Sequence, residues 1–148
     1  MAGLRRAETD LLDLLEKTSR TFALSIPPLP EPTRREVTVA YLLFRIADTF
    51  EDAAHFPPEA RIRALSDFSD LLRNPSTASA TRLSAEWTHS GWATHAGYEE
   101  LLEEIPFVLD AFGGLSPGAI EAIRGPVGRS VDETGNGRTR QGRRASRR

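Results

Sequence analysis

The chain has 148 residues, 39% hydrophobic and 27% charged, with a formal net charge of −2 and no cysteine. That length gives room for one domain with a sizeable core, and the lack of cysteine excludes disulfides, thiolate chemistry and zinc–cysteine sites. No apolar run approaches the roughly 18 residues of a membrane-crossing helix and no signal-peptide stretch stands at the N-terminus, so the expected location is cytoplasmic with at most peripheral membrane contact.

In chain order, Leu4 to about Lys17 carries apolar residues at positions 4, 11, 12, 14 and 15 behind Glu8 and Asp10, which predicts a first helix. Pro27, Pro28, Pro30 and Pro32 then forbid regular structure, because proline lacks a donor and restricts its predecessor. This rigid connector leads into a helix predicted over residues 33–54. Phe56-Pro57-Pro58 breaks the chain again, and Pro58 suits an early position in a third helix that runs to Leu72. The stretch from Asn74 to Thr81, rich in Ser, Thr and Ala, reads as a loop. A short helix is predicted from Arg82 to Thr94 around Trp87, and another from Tyr98 to Phe112, stopped by Gly113-Gly114. Ser116-Pro117 caps and starts a last helix toward Asp132, with a kink at Gly125-Pro126. With no alternating strand pattern, repeat or Gly-rich phosphate loop, the fold class is all-α.

Residues 138–148 hold six arginines and no apolar periodicity, which predicts a disordered basic tail after a helical domain over 1–137. The whole chain has eighteen arginines and one lysine, Lys17, the usage of a GC-rich coding sequence. Out-of-frame reading of such a sequence tends to yield Arg, Gly, Ala and Ser, so a frameshift or premature end is expected near Gly137. The rival reading is a non-catalytic helical interaction module whose basic tail binds nucleic acid. Without the six tail arginines the body carries a charge of −8, which argues against nucleic-acid binding by anything except the tail, and no nucleic-acid partner is expected. No obligate protein partner is expected either.

The strongest chemical signal is Asp48-Thr49-Phe50-Glu51-Asp52. In a helix, Tyr41, Arg45, Asp48 and Asp52 fall on one stripe, with the two carboxylates about 6 Å apart along the axis. Val39, Leu42, Leu43, Ile46 and Phe50 form the opposite, apolar stripe. Mg²⁺ takes one or two protein carboxylates and completes its shell with water and substrate phosphate, so Asp48 and Asp52 are the candidate metal ligands. A surface helix with one polar face is the plainer explanation of this pattern taken alone. Upstream, Ser19-Arg20-Thr21-Phe22 offers two hydroxyls and a guanidinium suited to phosphate oxygens.

Taken together, Ser19 to Phe22, Leu29-Pro30, Arg34-Arg35, Tyr41-Leu42-Leu43-Phe44-Arg45 and the Asp48–Asp52 motif closely resemble the squalene/phytoene synthase family over about Leu11 to Ala53. The resemblance implies part of an isoprenoid-synthase-type helical bundle. It also implies head-to-head condensation of two farnesyl or geranylgeranyl diphosphates to squalene, dehydrosqualene or phytoene. Mg²⁺ is the implied cofactor, with NADPH needed only if squalene is the product. On the same footing, Asp48 and Asp52 would hold Mg²⁺ against a diphosphate, and Arg45 and Tyr41 would line the cavity wall. Ser19, Arg20, Thr21 and Phe22 would contact the diphosphate and the start of the prenyl chain. Glu51 is acidic like its family counterpart but sits off the stripe. The family also carries a second D-x-x-x-D motif facing the first, and none follows in this sequence.

Other chemistry has weaker support. His55, His89 and His95 lack the spacing of a shared helical metal site and read as structural or solvated. No G-x-S-x-G elbow occurs. Trp87, Trp92, Phe107 and Phe112 read as core ahead of pocket lining.

Overall fold

The computed structural model describes residues 2–126, with side chains from Asp10 onward. The expected basic tail, the domain end near Gly137 and the end of the last predicted helix lie outside the described residues. In chain order run α1 (Ala2–Thr18), α2 (Arg20–Ser25), α3 (Thr33–Glu51), α4 (Pro58–Arg73), α5 (Thr77–His89), α6 (Ala96–Glu103) and α7 (Ile105–Gly113). Residues 117–126 are helical too, and no strand occurs among the described residues. The all-α expectation is met. None of these helices is long and apolar enough to cross a membrane.

The centre is α3. Its residues Val39, Leu42, Leu43, Ile46 and Phe50 recur on one stripe of a 3.6-residue helix, and all five are fully buried. The helix as a whole packs against α1, α4, α6 and α7. At its C-terminal end Phe50 meets Trp87 at 4.6 Å between ring centroids, Trp92 at 5.3 Å and Phe68 at 6.3 Å. Phe56 stacks on Trp92 at 3.7 Å. Trp87, Trp92 and Phe112 are buried and Phe107 packs against the same cluster, so the four aromatics are core, as their spacing suggests.

Four stretches depart from the sequence-based expectation. First, α2 is an unforeseen helix: the Thr18 hydroxyl folds back to donate to the carbonyls of Leu14 and Leu15, and extended Ser19 accepts the Phe22 N–H at 3.3 Å as a new N-cap. Second, α3 ends at Glu51 and not at Ala54. Its C-cap Asp52 still bonds back to the Asp48 carbonyl at 2.8 Å, so the register of the two carboxylates survives. Third, the expected loop from Asn74 to Thr81 is mostly helix. Ser76 caps α5 by accepting the Ser79 N–H, and Ala80 is buried. Having started early, α5 ends early, at His89, and the chain turns through Gly91 with φ of 76°, a left-handed conformation that favours glycine.

The fourth departure has the clearest cause. The predicted helix from Tyr98 to Phe112 is two helices broken at Glu104, because Pro106 has no N–H to give the Leu102 carbonyl and its ring crowds that carbonyl. The buried Ser84 hydroxyl on α5 donates to the Leu102 carbonyl instead, and also to that of Glu103 at 3.2 Å. Ser84→Ala should therefore remove a buried hydrogen bond at the break and cost about 1 kcal/mol in urea unfolding. A loss below about 0.5 kcal/mol, the scale of ordinary surface changes, would mean that the break stands without this hydroxyl.

Two contacts seat α6 on α1. Gly97 lies so close to the Lys17 carbonyl that a Cβ would collide with its oxygen. Lys17 Nζ reaches Glu100 at 2.8 Å and Asp13 at 2.9 Å.

Candidate functional site

The polar stripe of α3 faces the α1–α2 junction at one end and α6 at the other. Tyr41, near the first end, donates its hydroxyl to the Thr18 carbonyl at 3.4 Å. Phe22 lies over the Tyr41 ring at 4.8 Å between centroids while staying exposed. One turn on, the Arg45 guanidinium sits over the Tyr98 ring, with its central carbon 4.1 Å from the centroid. This leaves the Arg45 side chain 23% exposed beside Asp48, which is 50% exposed, so a cation is held against the wall below a carboxylate at the lip. Their closest approach is 3.9 Å, too long for a hydrogen bond.

Burial holds the Asp48 carboxyl above its ordinary value; Arg45 pulls it down, and the charge of Asp52 pushes it up again. Asp52 is exposed at the end of the helix. It also helps line a small pocket of about 90 Å³ together with Arg45, Thr49, Trp92 and Tyr98. Among the described residues, no group of three or more His, Asp or Glu side chains converges on one point. The metal-binding chemistry available at this stripe is therefore a pair of carboxylates on successive turns.

Each sequence-predicted site residue has a definite place. Tyr41, Arg45, Asp48 and Asp52 share the stripe, and Phe22 joins them through Tyr41. Ser19, Arg20 and Thr21 sit at the α1–α2 junction, with Ser19 acting as N-cap and Arg20 and Thr21 exposed. Among the described residues, no hydrogen bond or ion pair links these three to the α3 carboxylates. Glu51 is half-buried off the stripe, and its backbone carbonyl accepts from Arg61 at 3.4 Å. Two of the histidines make structural contacts: His95 Nδ1 accepts the Gly97 N–H at 3.1 Å to cap α6, and His55 Nε2 pairs across the fold with the Gly91 carbonyl at 2.9 Å. A neighbour of the stripe that sequence reasoning missed is Tyr98. Its half-buried place in the first turn of α6 is foreseeable, but its partner across the fold is not.

A family model described as squalene/phytoene synthase matches residues 15–117, more than half of the chain and well past Ala53, where the motif resemblance weakens. The chain belongs to that family. The match spans α2 to α7 and the C-terminal end of α1, so both walls of the stripe lie within it. Among curated members, a squalene synthase from Botryococcus braunii is 35% identical over 127 residues, covering 84% of this chain and 23% of that protein. A lycopaoctaene synthase from the same organism is 29% identical over 115 residues, 76% of this chain and 22% of that protein. A squalene synthase from Schizosaccharomyces pombe is 29% identical over 124 residues, 84% of this chain and 24% of that protein. The chain thus spans about a quarter of the length of the curated relatives it matches. No solved structure matches it.

Proposed function

We propose that these helices carry one diphosphate-binding wall of a head-to-head prenyl synthase. Such an enzyme joins two farnesyl or geranylgeranyl diphosphates with loss of diphosphate. The observation that carries this reading is the α3 stripe, where Asp48 and Asp52 stand on successive turns beside a guanidinium that neither of them engages in a hydrogen bond. Squalene synthases among the relatives favour a squalene-type product, for which NADPH would be the reductant.

The donor set fits Mg²⁺. A half-buried carboxylate and an exposed one, the first raised by burial and by the charge of the second, make a site that gains from a hard cation completing its shell with water and phosphate oxygens. When bound, Mg²⁺ supplies charge neutralisation that makes diphosphate a better leaving group. The chain's own residues do the rest. Arg45 is aimed at the same face and offers N–H donors to phosphate oxygens in charge-assisted bonds. Arg20, Ser19 and Thr21 would add donors from the α2 end, since a guanidinium and two hydroxyls match the remaining oxygens. Phe22 and Tyr41 would cover the first carbons of the prenyl chain and keep water from the allylic cation. Preorganised charge of this kind is usually the largest catalytic term. Contact with a membrane would be peripheral, following the apolar substrate.

Calorimetric titration of farnesyl diphosphate into the chain should give binding with Mg²⁺ and lose it in EDTA. Equal binding with and without the metal would overturn the reading.

A further inference from the structure

Resting on the reading of Arg45 as a diphosphate ligand, we propose that Tyr98 is its positioning residue, a platform that holds the guanidinium in place without using any of its N–H donors.

Arginine can be held by a carboxylate or by an aromatic face, and the two have different consequences. A carboxylate partner takes N–H groups, often two at once, and leaves fewer for a substrate. An aromatic face attracts the cation through the ring quadrupole and leaves the N–H groups at the edge of the guanidinium plane free. In this structure Arg45 has the second kind of partner. Its central carbon lies 4.1 Å from the Tyr98 centroid, well within the about 6 Å range of such contacts. The nearest carboxylate, Asp48, stays at 3.9 Å, and Arg45 Nε is buried without a hydrogen-bond partner.

The platform is itself anchored. Tyr98 lies three residues after the His95 cap, and the two rings are 5.0 Å apart between centroids. Gly97, the residue before it, fits against the Lys17 carbonyl, and Glu100, two residues on, is tied to Lys17. The core contacts of α6 are made by Leu101 and Leu102, which are buried, whereas Tyr98 is half-buried on the side that meets α3. No hydrogen bond involves the Tyr98 hydroxyl among the described residues, so the ring is the working part.

The test titrates inorganic pyrophosphate with Mg²⁺ into the full chain and into Tyr98→Phe, Tyr98→Leu, Arg45→Ala and the Arg45→Ala/Tyr98→Leu double variant. In parallel, NMR follows the Arg45 Nε–H signal. Tyr98→Phe is expected to bind within about twofold of the wild type, and Tyr98→Leu about 3- to 30-fold more weakly. Tyr98→Leu should add no further loss once Arg45 is alanine. The ring-current shift of the Arg45 Nε–H should persist in Tyr98→Phe and vanish in Tyr98→Leu. Failure of the wild type to bind Mg²⁺-pyrophosphate would overturn the diphosphate reading and this proposal together. Wild-type binding that Tyr98→Leu leaves intact, or weakens equally in the Arg45→Ala background, would overturn this proposal alone.

Discussion

Phe50→Ala is expected to lower the unfolding free energy by about 3–5 kcal/mol, the usual cost of an alanine at a fully buried aromatic position. Phe50 has no exposure, and it touches rings contributed by three other segments: Phe68 from α4, Trp87 from α5 and Trp92 from the turn that follows. Removing it loses both the buried area and the edge and tilted ring contacts, each worth about 0.5–1.5 kcal/mol beyond burial. Against a typical total of about 5–15 kcal/mol, that loss threatens the folded state.

The same residue stands between Asp48 and Asp52 in sequence, on the opposite side of the helix. A cavity beneath it would loosen the end of α3 that carries both carboxylates. Urea unfolding followed by tryptophan emission reads this directly, because the chain has two tryptophans, Trp87 and Trp92, and both belong to the cluster. Phe50→Leu, which keeps most of the volume, should cost less than half as much. A drop below about 1 kcal/mol for alanine would show that the site collapses easily and that the cluster does not anchor α3.

What could be read from sequence here follows the range of the interaction responsible. The two stripes of α3 were legible because the periodicity runs through nineteen residues and places Val39 to Phe50 and Tyr41 to Asp52 on opposite faces without help from the rest of the chain. The starts at Pro58 and Ser116 were legible for the same reason, since a cap acts over three residues; Ser116 Oγ accepts the Ala119 N–H at 3.2 Å. Pro106 was visible too, but a continuous pattern of Leu101, Leu102, Ile105, Val108 and Leu109 hid the break. The serine that makes it tolerable lies on another helix. Ser19 as a cap and Ser76 as a helix start were within reach of the same local rule. The candidate site residues split likewise: Tyr41, Arg45, Asp48 and Asp52 come from spacing on one helix, whereas the pairing of Arg45 with Tyr98 needs α6 folded back across α3.

Asp48→Asn should separate stability from binding. In EDTA at neutral pH the variant is expected to melt no lower than the wild type and slightly above it, within the about 0.5 kcal/mol typical of surface positions. The sign follows from the direction of the shift. A carboxyl whose folded value is raised favours the protonated form, so its contribution to stability is complete below the unfolded value and is lost as pH rises through the folded one. At pH 7 the wild type carries that loss and the amide does not; as the pH falls through the raised range, the two melting curves should converge. Asp67 is the matched control, because burial raises its carboxyl as well, aided by Asp70 and Glu86 and opposed by Arg63 and Arg82, in the cleft between α4 and α5. Asp67→Asn should give the same small gain in melting temperature and leave Mg²⁺-dependent diphosphate binding unchanged. Asp48→Asn should weaken that binding by more than about 100-fold, since even outer-shell partners of a metal ligand are worth about 10- to 100-fold. If both variants bind alike, Asp48 is an ordinary half-buried carboxylate and the α3 stripe is a solvated helix face.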